Sequence, residues 1–298
     1  MIPGTVSKTA LGTAAGRALE TFRPVNDRLF SDRFAMRFLP LAHRMVVHLL
    51  RIPVLGPALL AGRERQIPGV MGNLLCRTRF IDDMLREALG ENIHQLLILG
   101  AGLDSRAYRI DGSDDVRVFE VDHPATQLWK QRRIIRIFNG TPPHVTFVPV
   151  DFDREDLGRA LTEAGFRREI GTVVIWEGVT QYISEKAVND TFAWLSGNLS
   201  QGSRIIFTYV RKDLIEGSGQ TGVPARLLAE LRKQGEPWKF GIEPEDLDRF
   251  LSERGFSLIA NAGAEDYRER YPQFVERRLD IFDGERTAVA VIPGRSEL

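Results

Sequence analysis

The chain has 298 residues and a mass of 33.6 kDa, and its 40 basic and 40 acidic residues give a formal net charge of zero. A hydrophobic content of 43% excludes an intrinsically disordered chain, and the balanced charge argues against a dedicated nucleic-acid binder. The single cysteine, Cys76, excludes an intramolecular disulfide, and the five histidines lack the spacing of a zinc site, so no metal is expected.

The first 90 residues are predicted to form an N-terminal helical cap. Apolar residues recur there at three- and four-residue spacing, which indicates helices over residues 10–19, 35–50 and 72–89. The first 20 residues carry no long apolar run and no cleavage-site pattern, so we expect a cytoplasmic protein.

The most apolar part of the chain covers residues 45–62 and is interrupted by Arg51, Pro53 and Pro57. Its uncharged run, residues 52–62, is much shorter than the roughly 20 residues that a membrane-spanning helix needs, so no stable membrane insertion is expected. The favoured interpretation is a helical hairpin that packs on the core. An apolar cap over a substrate pocket is the second interpretation, and an interfacial membrane contact is the third.

After residue 90 the pattern changes to short β-branched segments, each followed by a helical segment. This alternation predicts an α/β domain over residues 91–298, with a parallel sheet covered by helices on both faces. Strands are predicted at residues 95–99, 116–121, 145–150, 172–176, 204–209, 256–260 and 287–292, and helices at residues 125–138, 154–164 and 185–199. Residues 211–244 break the rhythm with five glycines and three prolines around a predicted helix at residues 225–234, and we interpret them as a lid insertion over the carboxyl edge of the sheet.

The strongest local signal is a glycine-rich turn after the first predicted strand. Gly100 and Gly102 follow an apolar strand and precede a helical segment, an arrangement that lets a ligand approach the backbone closely. Asp122 comes 20 residues after Gly102, at the end of the next strand, where a carboxylate can accept hydrogen bonds from both ribose hydroxyls of an adenosine. The dinucleotide fingerprint requires a third glycine, but this chain has Ser105 there and the bulky Asp104 before it, so S-adenosylmethionine is favoured over a dinucleotide.

Polar residues follow two further strands at the same edge. Asp151 can bond the exocyclic amine of adenine, while Phe152 can pack on the ring. Glu177 follows the fourth strand, where the methionine part of such a ligand would lie. Each acid could instead be a helix N-cap, but four strand ends with a polar or glycine element favour a shared site.

Five segments agree in order and spacing with one known family. They are TA at residues 9–10 with RALE at 17–20, RTRFID at 77–82, LGAGLDSR at 99–106, EVDHP at 120–124, and EG at 177–178 with Tyr182. On these segments the chain resembles the leucine carboxyl methyltransferase family, and in particular its bacterial branch of S-adenosylmethionine-dependent methyltransferases. The resemblance implies a Rossmann-like class I methyltransferase, in which a seven-stranded, mostly parallel sheet carries extra N-terminal helices.

The resemblance also implies roles for individual residues. Arg79 resembles the arginine that clamps the methionine carboxylate of the cofactor, although it could instead pair with Asp82 or Asp83 on its own helix. Tyr182 resembles an active-site tyrosine and Glu177 a glutamate near the cofactor, and these two are the candidate catalytic residues. The other implied cofactor contacts lie on the loop and at the strand ends, at Gly100, Gly102, Asp104, Asp122, Asp151 and Phe152.

We therefore expect an enzyme that transfers a methyl group from S-adenosylmethionine to an oxygen and releases S-adenosylhomocysteine. A carboxylate of a small natural-product or lipid-like substrate is the favoured acceptor, because it is ionised at neutral pH and needs no general base. Tyr182, Tyr209 or Arg211 would then orient the acceptor oxygen. A phenol or an alcohol would require a base, for which Glu177 or His123 could serve.

Three other functions stay open on the sequence alone. They are an NAD(P)-dependent oxidoreductase, an S-adenosylmethionine-binding protein without turnover, and an RNA methyltransferase. The last would need a basic face with interleaved aromatic residues, which a net charge of zero does not favour. We expect a small-molecule substrate and no nucleic-acid partner, while the oligomeric state is not predicted.

Overall fold

The centre of the computed structural model is a seven-stranded sheet, and the structure describes residues 7–217, 225–233, 235–275, 277 and 279–294. The strands in chain order are β1 (Gln95–Leu99), β2 (Arg117–Asp122), β3 (Val145–Pro149), β4 (Thr172–Trp176), β5 (Arg204–Val210), β6 (Ser257–Ala262) and β7 (Glu285–Val291). They are arranged in the order β3-β2-β1-β4-β5-β7-β6, and β7 pairs antiparallel with both of its neighbours while the other pairs are parallel. The prediction of a seven-stranded, mostly parallel sheet is confirmed.

Five helices precede β1 within the described residues. They are α1 (Lys8–Thr21), α2 (Ala35–Phe38), α3 (Leu41–Leu50), α4 (Leu55–Gln66) and α5 (Val70–Leu89). The prediction of a single helix over residues 35–50 is wrong, because the chain becomes extended at Leu39, where ψ is 145°, directly before Pro40. A residue that precedes proline avoids the helical conformation, and a new helix therefore starts after the proline.

Further helices lie between and after the strands within the described residues. They are α6 (Arg106–Arg109), α7 (Pro124–Phe138), α8 (Leu157–Glu163), α9 (Glu185–Asn198), α10 (Lys212–Glu216), α11 (Ala225–Lys233), α12 (Leu247–Ser252), α13 (Ala264–Arg270) and α14 (Pro272–Val275), with 3₁₀ turns at Thr180–Tyr182 and Pro244–Asp246. Within the predicted lid, the helix expected at residues 225–234 is observed as α11. Residues 218–224 and 234 of the same segment lie outside the described residues.

The sheet is covered on both faces because successive residues of each strand point to opposite sides. In β1, Leu96 and Ile98 belong to one buried cluster, whereas Leu97 and Leu99 belong to the other. The first cluster also contains apolar residues of α1 and α5, and the second contains those of α9. The N-terminal helices thus share a core with the sheet, and a division of the chain into a cap and an α/β domain stays a prediction.

The helices α3 and α4 form in the segment that was predicted to be a helical hairpin packed on the core. Only part of this segment packs on the core, and most of its large apolar side chains are exposed. Val47 joins the core, whereas Met45 is 64% exposed and Val54 is 84% exposed. Among the described residues, no single helix is long and apolar enough to cross a membrane. The two helices pass that test only as a pair, and the pair is bent by 102° at the break between them.

Candidate cofactor and active site

The strand order places the ends of β3, β2, β1 and β4 side by side, and the predicted site residues follow these ends. The loop after β1 contains Gly100 and Gly102, whose φ angles of 66° and 41° lie in the left-handed region. A Cβ atom at Gly100 would clash with the side chain of Val179, so this position needs glycine both for its conformation and for the close approach. The backbone of the loop therefore turns directly over the carboxyl edge of the sheet.

Asp122, the last residue of β2, is oriented by two backbone donors. Its Oδ2 accepts a hydrogen bond from the N–H of Gly102, and its Oδ1 accepts one from the N–H of His123 at 2.6 Å. Burial raises the pKa of this carboxyl group, while the two hydrogen bonds act in the opposite direction. The structure thus brings Asp122 and the glycine loop together, as the sequence predicted.

Asp151 and Phe152 follow β3 at the same edge. The N–H of Val150 donates to the carbonyl of Asp122 at 2.9 Å, so the chain leaves β3 beside Asp122. Phe152 is half-buried, and its ring stacks on that of Trp176, the last residue of β4, with the ring centroids 6.4 Å apart. These contacts place Asp151 and Phe152 next to the ends of β2 and β4.

Glu177, the residue after β4, is held by two buried arginines. Its Oε1 accepts a hydrogen bond from Nε of Arg77 at 2.9 Å, and its Oε2 accepts one from Nη1 of Arg106 at 2.6 Å. Burial by itself would raise the pKa of Glu177, but the charges of Arg106 and Arg77 outweigh burial and lower it. Glu177 is therefore ionised and engaged at both oxygens, which counts against its use as a general base.

Arg106 is the centre of a buried charge network, and its side chain is only 2% exposed. Besides Glu177 it binds Asp104 at 2.5 Å and Asp82 at 2.8 Å. The second oxygen of Asp104 accepts the backbone N–H of Arg106 at 2.7 Å, so both oxygens of this carboxylate are engaged. Burial would raise the pKa of Asp104, but Arg106 lowers it. Asp104 thus supports the loop, and a direct contact with the cofactor stays a prediction.

Arg79 is not brought to this network. Its Nε donates to Asp83 at 2.8 Å, its Nη1 donates to the carbonyl of Leu29, and its side chain is 34% exposed. Arg77 occupies the place beside Glu177 instead, because two residues along a helix correspond to a rotation of about 200°. The alternative in which Arg79 pairs with an acid on its own helix is confirmed.

The periodicity of α5 could have shown which arginine faces the sheet. Leu74 and Ile81 lie three residues before and four residues after Arg77, and both are buried. Arg77 therefore belongs to the apolar face of α5, whereas Arg79 is followed at the same spacing by the acids Asp82 and Asp83. Arg77 also forms an ion pair with Glu285, the first residue of β7, which the sequence analysis missed.

Tyr182 ends the 3₁₀ turn after β4 and is half-buried beside the predicted lid and α1. Burial raises the pKa of its hydroxyl, while Trp238 and Thr9 beside it act in the opposite direction. Thr9 in turn donates a hydrogen bond from Oγ1 to Glu236, so the segment predicted to be a lid is joined to α1 at this point. Sequence reasoning missed Trp238 and Glu236, because lid residues carry no motif.

The other side chains considered for the acceptor or for proton removal are engaged elsewhere. The buried hydroxyl of Tyr209 donates to Asn261 at 2.8 Å, and Arg211 pairs with Asp213 at 3.1 Å. His123 caps α7, since its Nδ1 accepts a backbone N–H of that helix at 3.3 Å. Tyr182 is thus the candidate of this set whose contacts lie at the strand edge, the lid and α1.

Residues 10–196 match the sequence model of the leucine carboxyl methyltransferase family. The chain belongs to this family. A protein of Streptomyces avermitilis that is provisionally named an S-adenosyl-L-methionine-dependent methyltransferase is 35% identical over 274 residues, which cover 91% of this chain and 94% of the relative. A relative from Mycobacteroides abscessus with the same provisional name is 31% identical over 245 residues, which cover 80% of this chain and 74% of the relative. This member of the family is an S-adenosylmethionine-dependent methyltransferase, and the NAD(P)-dependent oxidoreductase alternative is wrong.

Solved structures agree with the fold. A provisionally named methyltransferase from Thermobifida fusca superposes with a TM-score of 0.55 at 17% identity, over 93% of this chain and 98% of that chain. A DUF574 family protein from Streptomyces avermitilis superposes with a TM-score of 0.56 at 12% identity, over 94% and 97% of the two chains. At these identities the likeness shows the fold alone, and the fold is the Rossmann-like class I methyltransferase fold that the resemblance implied.

The residues at the carboxyl edge fit S-adenosylmethionine. Asp122 is fixed beside Gly102, and each of its oxygens keeps a lone pair for a ribose hydroxyl. Gly178 lies beside Arg77, since a Cβ atom there would be 3.7 Å from Nη2, and this guanidinium is of the type that binds an anionic group such as the methionine carboxylate. Ala10 lies 3.6 Å from the position of a Cβ atom at Gly102, and α1 therefore covers the loop.

Proposed function

We propose that this methyltransferase transfers the methyl group of S-adenosylmethionine to a carboxylate oxygen of a small natural-product or lipid-like acid. The observation that carries the proposal is that neither Glu177 nor Tyr182 is suited to remove a proton from an acceptor. The pKa of Glu177 is lowered by two arginines, and the pKa of the Tyr182 hydroxyl is raised by burial. A carboxylate has a reference pKa near ~4 and needs no base at neutral pH.

The acids at the strand edge support this conclusion. Glu177 and Asp104 have pKa values lowered by Arg106 and accept hydrogen bonds at both oxygens, so they are poor proton acceptors near neutral pH. Asp122 has a raised pKa, but both of its oxygens accept backbone N–H groups, and we place it at the ribose. A phenol or an alcohol, which must lose a proton, would find no free base among these residues.

Tyr182 suits the orientation of an anionic acceptor. Because burial raises the pKa of its hydroxyl, the group stays protonated and can donate a hydrogen bond to a carboxylate oxygen. Trp238 lies beside this hydroxyl, and its indole ring would contact the hydrocarbon part of a lipid-like acid. These two residues therefore favour a carboxylate attached to an apolar body.

When it is bound, the cofactor supplies an electrophilic methyl group on a positively charged sulfur. Arg77 would bind its carboxylate through Nη2, Asp122 would bind its ribose, and Asp151 with Phe152 would bind its adenine. Glu177 holds Arg77 in position and does not itself react. Holding the acceptor in line with the methyl group can supply roughly 7–11 kcal/mol of the barrier, so positioning alone is an adequate source of catalysis.

Methyl-labelled S-adenosylmethionine distinguishes the acceptor classes. The enzyme is incubated with pairs of carboxylic acids and phenols that share one hydrocarbon skeleton, and the labelled products are then treated with base. We expect the acids to become labelled, and we expect base to release this label as methanol. Such release identifies the product as a methyl ester. Base-stable label on the phenols would show that the carboxylate proposal is wrong, and the methyltransferase assignment would stand.

A further inference from the structure

Charge is unevenly distributed along this chain, although its net charge is zero. Residues 33–63 contain five arginines and no acidic residue, and residues 123–150 contain three arginines, one lysine and no acidic residue. The fold brings these two segments together, because α7 and the chain around the start of α3 line a cavity of about 390 Å³. We call it the basic cavity, since its lining contains Arg37, Arg44, Arg133 and Arg136.

Among the described residues that line the basic cavity there is no carboxylate, and its other side chains are aliphatic. Arg44 donates to two backbone carbonyls at 2.8 and 2.7 Å, and Arg133 lies over the ring of Trp129, 3.1 Å from its centroid. Burial, together with the charges of Arg44 and Arg136, lowers the pKa of Arg133 to about 10. Cations that are crowded in this way are stabilised by an anion.

Beside the basic cavity, the α3–α4 hairpin presents an aliphatic surface. Eight of the fourteen exposed large hydrophobic residues in the described part of the chain lie between Leu41 and Leu59, and they are 42% to 84% exposed. Leu41, Met45 and Leu49 follow at four-residue intervals, so they form one stripe along α3. Because Leu41 also lines the basic cavity, the stripe and the arginines are parts of one surface.

We propose that the basic cavity and the aliphatic stripe dock this enzyme on an anionic lipid bilayer. Lipid phosphates would occupy the cavity, and the stripe would lie at the boundary between headgroups and acyl chains. Charge complementarity favours the bilayer over a second copy of the chain, since a two-fold contact would bring the same arginines face to face. The stripe is aliphatic, whereas bases of single-stranded nucleic acids stack on aromatic rings. This docking needs no membrane-spanning helix.

The test is flotation of the full-length enzyme with vesicles of equal parts phosphatidylcholine and phosphatidylglycerol, and with vesicles of phosphatidylcholine alone. We expect binding to the anionic vesicles and a decrease in binding as salt is raised. Arg133→Gln/Arg136→Gln should weaken binding more than tenfold, because each basic residue near an anionic surface contributes about fivefold. Met45→Ser/Leu49→Ser should also weaken binding, because it removes apolar area from the stripe.

The matched control is Arg159→Gln/Arg249→Gln, which removes two exposed arginines from α8 and α12. It should bind anionic vesicles like the wild type, since neither residue lies on the proposed surface. Far-ultraviolet circular dichroism confirms that all variants are folded. Binding of S-adenosylhomocysteine should be unchanged in every variant, and because this control needs no methyl acceptor, the outcome does not depend on the proposed acceptor.

Several outcomes would overturn the proposal. Equal binding to neutral and anionic vesicles, or undiminished binding of Arg133→Gln/Arg136→Gln, would show that the arginines do not recognise the bilayer. Self-association that Met45→Ser/Leu49→Ser abolishes, without vesicle binding, would make this surface an interface between copies. Saturable binding of inorganic phosphate without vesicle binding would make the cavity a site for a free anion.

Discussion

Arg77 and Arg79 lie two positions apart on α5, and replacing each with glutamine separates the arginine that we propose binds the cofactor from its neighbour. We expect Arg77→Gln to weaken the binding of S-adenosylhomocysteine about tenfold to hundredfold, because a hydrogen bond to a charged group contributes about 1.5–3 kcal/mol. Arg79→Gln should change the affinity by less than about twofold, as is usual for a substitution away from the site. Arg79 contacts Asp83 and Leu29 on another face of the helix. Isothermal titration calorimetry measures both affinities.

The loss of Arg77 also affects stability, because Arg77 pairs with Glu177 and Glu285. Removing one partner of a buried ion pair costs about 3–5 kcal/mol, so Arg77→Gln should lower the free energy of unfolding by that order. The double variant Arg77→Gln/Glu285→Gln removes the stranded charge, while Glu177 keeps its contact with Arg106 at 2.6 Å. We expect the double variant to regain most of the lost stability and none of the lost affinity.

Urea unfolding followed by tryptophan fluorescence gives the stability of each variant in the buffer used for calorimetry. If the double variant binds S-adenosylhomocysteine like the wild type, Arg77 has only a structural role. If Arg79→Gln weakens binding tenfold and Arg77→Gln does not, the arginine was assigned to the wrong face of α5. Either result would refute the reasoning from helix geometry.

Three further substitutions test the site. Asp122→Asn should weaken S-adenosylhomocysteine binding by tenfold or more, about 1.4 kcal/mol, whereas Asp114→Asn in an exposed loop should leave the calorimetric affinity unchanged. The folded-state pKa of Glu177 is lowered, so its ion pairs contribute fully above the unfolded pKa of about 4.3 and are lost as the pH falls toward the folded value. Glu177→Gln should therefore reduce the acid-side loss of stability in urea titrations. Tyr182→Phe should lower kcat about tenfold with unchanged cofactor affinity, while Tyr209→Phe should keep kcat and lose about 1 kcal/mol of stability.

The sequence was sufficient to predict the sheet and to identify the polar residues that follow its parallel strands. The central strands are buried on both faces, so they are nearly continuous apolar segments with recognisable ends. Once these strands are taken as parallel, their carboxyl ends meet at one edge, which places Gly102, Asp122 and Glu177 in one region. The motif that contains Arg77 and Arg79 does not show which of the two side chains points toward the sheet. The periodicity of α5 is needed for that prediction.

Glu285 was missed for a topological reason. β7 runs antiparallel to β5, and Glu285 pairs with Val210, the last residue of β5. The first residue of β7 therefore lies at the edge where the parallel strands end, and a search for polar residues after strand ends passes over it. Its ion pair with Arg77 shows that the antiparallel strand contributes to the same site.

The contacts that cover the candidate site could not be predicted from local sequence patterns, because they join residues that are far apart in the chain. Thr9 and Glu236 are 227 positions apart, and their hydrogen bond joins α1 to the lid. Ala10, the next residue of α1, covers Gly102, and both Thr9 and the lid residue Trp238 lie beside Tyr182. The same contact therefore lies beside the cofactor loop and beside the proposed position of the acceptor. Exclusion of water from the cofactor loop and from the proposed acceptor position therefore depends on the same contact between Thr9 and Glu236.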